Sequence, residues 1–292
     1  MGRALRFTVE AGRLAAELGL EVRGDPAVTI ARVDSAGASR KGSLCFAKDR
    51  RWSEHVDAAA VLMASGDVAE GRGCTALISD RSRLDFARAL GVLERWSGFV
   101  WSDESPQVHP TARVGRNVVL GKGVRVGAGT VIQHNVVIGD EVIIGERCTI
   151  KSCAVIGEEG FGFERNSDGR AVRLPHLGGV VLGDDVEVGS LTTVCRGTLA
   201  DTILRDGCKI DDHVHIAHNI DVGEDAFVIA CAEVSGGVKI GRRAWIAPNA
   251  SILNQLSVGD DSVVGLGAVV VRSVPDGAVV VGNPAKPIAR EG

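Results

Sequence analysis

From Val108 onward an aliphatic residue recurs every six positions: Val108, Val114, Leu120, Val126, Ile132, Ile138, Ile144, Ile150 and Ile156. The series breaks over "GEEGFGFERNSDGRAVRLPHLGGVV" and resumes at Leu182, Val188 and Val194. It then slips by four residues to Leu204 and runs on through Ile210, Ile216, Val222, Val228, Val234, Ile240, Ile246, Ile252, Val258, Val264 and Val270. A period of six matches neither an amphipathic helix, near 3.6, nor a plain strand, at 2. It matches a short strand and a corner, repeated. Three such sides close one coil, and stacked coils lie ~4.8 Å apart, the spacing of strands in a sheet. The pattern predicts a β-solenoid whose inward aliphatics form ladders along a dry prism, with Gly and Asn at the corners.

Residues 1–104 follow another pattern. "TVEAGRLAAELGLEV" carries Val9, Leu14 and Leu18 at helical spacing, with Thr8 as the expected cap and Gly19 as the stop. "VTIARV", "GSLCFA", "AAAVLMA" and "CTALISD" are predicted strands, and "SRLDFARALGVLERW" an amphipathic helix capped by Ser82. Alternating elements of this kind predict a small α/β domain. The expected organisation is that domain over 1–104, a β-helix over 105–273 with an inserted loop at 157–181, and a tail over 274–292. The tail holds three prolines and is expected to leave the helix.

Composition adds limits. The 292 residues are 45% hydrophobic and 24% charged, enough apolar content for a real core. With 38 Gly and no Tyr, aliphatics must do most of the packing. A net charge of −4 argues against a broad nucleic-acid surface. No signal peptide and no transmembrane stretch is expected, which points to the cytoplasm. The seven cysteines form no CxxC pair and are read as reduced thiols. Cys195 and Cys231 are read as small buried fillers.

Candidate chemistry centres on "HVHIAHNIDVG", residues 213–223, which holds three of the seven histidines. Relative to the inward Ile210 and Ile216, the positions His213, His215 and His218 fall in three different registers. Their side chains therefore do not converge as metal ligands must. One coil after His218 stands Gly236, in "EVSGGVKIG". Imidazole can accept a proton near neutral pH. A backbone N–H beside a glycine can steady an oxyanion. Asp211 and Asp212 are close in sequence and are candidates to orient the ring.

The six-residue period resembles the left-handed parallel β-helix of hexapeptide-repeat acyltransferases. The stretch "LGDDVEVGSLTTVCRGTLADTILRDGCKIDDHVHIAHNIDVG", the loop "GEEGFGFERNSDGRAVRLPHLG" and "DSAGASRKGSLCFAKDRRW" resemble one family within them, the UDP-3-O-acylglucosamine N-acyltransferases of lipid A synthesis. The resemblance covers residues 5–270. It implies a homotrimer that moves a hydroxyacyl chain from acyl carrier protein to the 2-amine of a UDP-linked glucosamine. It implies His218 as base, the Gly236 backbone as oxyanion donor and Asp211 as the histidine's partner. Phe46, Asp49 and Trp52 fall on a uracil-binding pattern like F-x-x-N-x-x-Y, with Arg50 or Arg51 available to phosphates. Asp212, His215, Asn219 and Gln255 fall on the substrate side.

This chain also departs from the family. Cys195 stands where Asp is usual, Asp212 and His215 replace Asn and Gln, and Gln255 replaces a second histidine. The ending "GNPAKPI" resembles coenzyme-A-dependent sugar acetyltransferases rather than the family's helical extension. The resulting expectation is an N-acyltransferase on a nucleotide-linked amino sugar, with acyl-CoA or acyl carrier protein as co-substrate and no tightly bound cofactor. The lipid A reaction and an acetyl transfer for an O-antigen sugar are its two versions. A β-helix carbonic anhydrase and a non-catalytic scaffold are rivals from other classes.

Overall fold

A computed structural model describes residues 2–288, so residues 289–292 of the expected tail lie outside the described residues. The chain divides into two compact units. The first holds the residues up to Trp101 together with Gly162–Gly178 and Thr198–Ala200. The second holds Ser102–Phe161, Gly179–Gly197 and the residues from Asp201 on.

The first unit is a six-stranded sheet with helices, built from β1 (Arg3–Glu10), α1 (Ala11–Leu18), β2 (Glu21–Arg23), β3 (Thr29–Val33), β4 (Ser43–Phe46), α2 (Arg50–Ser53), β5 (Val61–Ala64), α3 (Gly66–Ala69), β6 (Thr75–Ile78) and α4 (Ser82–Trp96). Strand order is β1-β3-β4-β5-β6-β2. β3 to β6 run parallel, and β1 and β2 are antiparallel edges. The run "VLMA" of β5 is buried throughout, as a central parallel strand must be. Leu14 and Leu18 of α1 meet Phe86, Leu90 and Leu93 of α4 in its core.

Two helix starts differ from the sequence expectation. Thr8 lies inside β1, and α1 begins after Glu10 with no side-chain cap. Antiparallel pairing of Val9 with Ile30 and of Glu10 with Thr29 holds this segment in the sheet, overriding the capping preference. Ser82 opens α4, but its hydroxyl donates to the Ala47 carbonyl instead of capping. Gly19 ends α1 as expected, in the left-handed conformation at φ 71°.

Among the described residues the second unit is a three-sided prism of sheets with eight, ten and eight strands, parallel throughout except for the last strand of the ten. Its strands are mostly two residues long, and each expected inward aliphatic sits in one. Ile132 pairs with Ile150, Ile210 with Val228, and Val234 with Ile252, so each ladder position is filled one coil later. From Ile132 to Val270 these aliphatics form one buried cluster. Val108 and Val114 are 37% and 43% exposed, because the first coil is paired on one side only. Corners turn through residues at positive φ, among them Asn117, Asn135, His213, Asn219 and Asn249. Asn tolerates this conformation better than most side chains.

The breaks in the period are absorbed in register. Ile144 pairs with Leu182 across the insertion, and Val194 pairs with Ile216 across the four-residue slip. Within the insertion, Phe163–Arg165 and Ala171–Arg173 form an antiparallel hairpin. Residues 162–178 group with the first unit, where Leu174 and Leu177 join its core. The tail differs from expectation too. Val279–Val281 adds a parallel strand beside Val263–Val264, and Lys286–Ile288 returns antiparallel to it. The prolines permit this because they fall at a corner (Pro275), in a turn (Pro284) and on a sheet-edge strand (Pro287), where no ladder N–H is required.

Candidate active site

The six-residue register separates the three clustered histidines. His213 sits at one corner at φ 58°, His215 lies outward on the strand His215–Ile216, and His218 is at the next corner. Among the described residues no group of three His, Cys, Asp or Glu side chains is placed to hold a metal ion.

His218 and Gly236 meet as their spacing implied. A methyl built on Gly236 would lie 2.6 Å from Cε1, 2.7 Å from Nε2 and 3.1 Å from Nδ1 of the His218 ring. The imidazole therefore occupies the space a Gly236 side chain would take, with its Cε1–Nε2 edge nearest, and any side chain there would displace it. The Gly236 carbonyl accepts from the Gln255 N–H at 3.0 Å. Its own N–H has no protein acceptor among the described residues. At other corners the equivalent N–H is often capped by an aspartate: Ser190 by Asp212 at 2.6 Å, Ala230 by Asp211 at 3.2 Å, Arg242 by Asp260 at 2.8 Å. Beside Gly236 an uncapped donor and a half-buried imidazole share one corner. That pairing can take a proton from a nucleophile and steady the charge it creates.

Other expected residues divide between two corners. Asn219 follows His218 at φ 59°, and its Oδ1 is 3.0 Å from the ring Nδ1. Gln255 is at the same corner two coils on, at φ 60°, with its Cγ against the open side of Gly237. His215 lies on the adjoining face, its Nδ1 2.7 Å from Thr193 Oγ1 and its strand partner Glu233 in the next coil. Asp211 and Asp212 belong to the preceding corner. The Asp211 carboxylate accepts from the Ala230 N–H, and Asp212 from Ser190. Asp211 is thus not brought to His218, because a whole side of the prism, through Ile216, stands between the two corners.

Sequence reasoning missed Thr202. It is fully buried, and its hydroxyl accepts from the Asn219 N–H at 2.9 Å. The four-residue slip just before it is the one signal that could have drawn attention there. Cys195 is buried as expected, and burial pushes its thiol up to about 11, so it is no thiolate near neutral pH. Cys231 is exposed rather than buried, since it occupies a corner at φ 61° where the side chain points outward.

In the first unit, Phe46 ends β4 half-buried with its ring 4.9 Å from that of Phe86. Trp52, in α2, is 56% exposed. Asp49 caps α2 by accepting from the Arg51 N–H at 3.1 Å, and the Arg51 guanidinium holds its carboxyl below the usual carboxylate range. Arg50 donates to the Asp67 carbonyl, and both arginines are exposed.

No family model matches the chain. It is 34% identical over 263 residues to a UDP-3-O-acylglucosamine N-acyltransferase of Coxiella burnetii, covering 81% of this chain and 76% of that one. It is 34% identical over 297 residues to the protein of that name from Delftia acidovorans, covering 94% and 86%. Among solved structures, a UDP-N-acetylglucosamine O-acyltransferase from Moraxella catarrhalis matches with a TM-score of 0.58 at 26% identity, over 64% of this chain and 71% of the other. The prism is thus the left-handed parallel β-helix of the hexapeptide-repeat acyltransferases. With that coil architecture, the imidazole over Gly236 and the extent of the identity, the chain belongs to the UDP-3-O-acylglucosamine N-acyltransferase family.

Proposed function

We propose that this protein transfers an acyl group from a thioester carrier to the 2-amine of a UDP-linked, 3-O-acylated glucosamine, a step of lipid A synthesis. The observation that carries the reading is the His218 imidazole lying over Gly236 beside an uncapped N–H. The amine attacks the thioester carbonyl, and Nε2 of His218 accepts its proton as the C–N bond forms. The tetrahedral oxyanion takes a hydrogen bond from the Gly236 N–H. Collapse breaks the C–S bond, and the imidazolium returns the proton to the departing thiolate. No step needs a metal or redox group.

Gln255 and His215 flank this corner and are proposed to read the substrates. Phe46 and Trp52 are proposed to hold the uracil, with Arg50 and Arg51 near the diphosphate. The working form is proposed to be a cytoplasmic homotrimer, as in the family the sequence resembles. The test is turnover of UDP-3-O-acylglucosamine with acyl carrier protein and with coenzyme A as carriers. Acylation of the amine by either donor, weakened ~10-fold or more in nucleotide-sugar affinity by Trp52→Ala, supports the reading. No amide product with either donor overturns it.

A further inference from the structure

We infer that Asn219 is a positioning residue for His218: its side-chain oxygen holds the imidazole proton on Nδ1 and so leaves Nε2 as the basic nitrogen. The assignment rests on the proposed role of His218 as base. Three observations support it. The Asn219 Oδ1 is 3.0 Å from Nδ1, so the amide can accept from the ring. Cε1 and Nε2 lie nearer than Nδ1 to the place a Gly236 side chain would take, so Nε2 is the ring nitrogen on the glycine side. The Asn219 backbone is itself fixed, at φ 59°, with its N–H donating to the fully buried Thr202.

Which imidazole nitrogen carries the proton is set by the hydrogen bond that the other ring nitrogen, or the same N–H, makes. A base needs its lone pair facing the nucleophile, so an acceptor behind Nδ1 selects the competent tautomer. Here that acceptor is a neutral amide from the adjacent residue. Asp211, the carboxylate the resemblance placed in this role, caps Ala230 at another corner. The four-residue slip lies just ahead of Thr202. Pairing across the slip runs at 22 residues, from Val194 to Ile216, and returns to 18 from Leu204 to Val222, the coil in which Thr202 accepts from the Asn219 N–H.

The test uses the full-length protein, nitrogen-15 labelled at histidine, with His218→Gln to assign the His218 resonances. The wild-type spectrum is expected to show the Nδ1–H tautomer of the His218 ring, a readout independent of activity. Asn219→Gly keeps a residue at ease at positive φ and removes the acceptor. It is expected to mix the tautomers and lower kcat about tenfold, the worth of one hydrogen bond to a reacting group, with both KM values unchanged. Asn219→Asp, which retains an acceptor oxygen, is expected to restore the Nδ1–H tautomer and most of kcat. An Nε2–H tautomer in the wild type overturns the proposal, and needs no variant that must fold. So does an Asn219→Gly protein with the wild-type tautomer and kcat. If His218→Ala is fully active, the base assignment falls while the tautomer still reports on Asn219.

Discussion

The corner at Asp211–His213 and the corner at Ala217–Asn219 are built alike. Each turns through one left-handed residue, His213 at φ 58° and Asn219 at φ 59°. Each follows an inward isoleucine, Ile210 or Ile216, that is almost fully buried. They differ in what the next coil places beside them. The first corner meets Ala230, whose N–H is taken up by Asp211. The second meets Gly236, whose N–H is left without an acceptor among the described residues and whose Cα is covered by an imidazole. A repeating scaffold supplies the same backbone at every corner, so chemistry depends on which side chains one coil withholds from the coil below.

That contrast can be broken most directly at His218. Replacing it with alanine is expected to cost ~10²–10⁴-fold in kcat, with nucleotide-sugar binding by thermal shift unchanged. An unaltered rate would remove the second corner's special status. Gly236→Ala comes next. Its methyl would sit 2.6 Å from the ring Cε1, so the ring must move away from its place beside the Gly236 N–H. A loss of ~10²-fold in kcat is expected at nearly unchanged melting temperature.

The first corner should respond weakly. Asp211→Asn keeps an acceptor for the Ala230 N–H, and His213→Asn keeps a residue that tolerates positive φ. Both are expected to stay within about twofold of wild-type kcat/KM. A large loss in Asp211→Asn would restore the carboxylate partner that the resemblance implied. The smallest effect is chemical. A thiol reagent near neutral pH should label the exposed Cys231 without loss of activity. Cys195, its thiol pushed up to about 11 by burial, should react only as pH rises well above 9 or on unfolding.

Two features of this molecule follow from its sequence period alone. The inward ladder was legible because a dry interior admits one residue class at one spacing, and Ile132, Ile210 and Ile252 all land there. The His218–Gly236 contact was legible for the same reason, since coil length alone places residue 236 on residue 218. The uncapped N–H, the Asn219 contact and the burial of Thr202 were not, because they depend on side-chain directions that the period leaves free. Asp211 shows the limit well: seven residues from His218, it still turns the other corner.

The chain by itself determined the period, the inward face and the pairing of His218 with Gly236, because steric exclusion from a narrow prism is a local rule repeated many times. Only the tertiary structure decided which N–H is capped, which nitrogen of His218 meets Asn219, and that the insertion groups with the first unit rather than the prism. Those outcomes depend on which donor finds which acceptor across coils, a competition among several nearby groups that spacing does not rank.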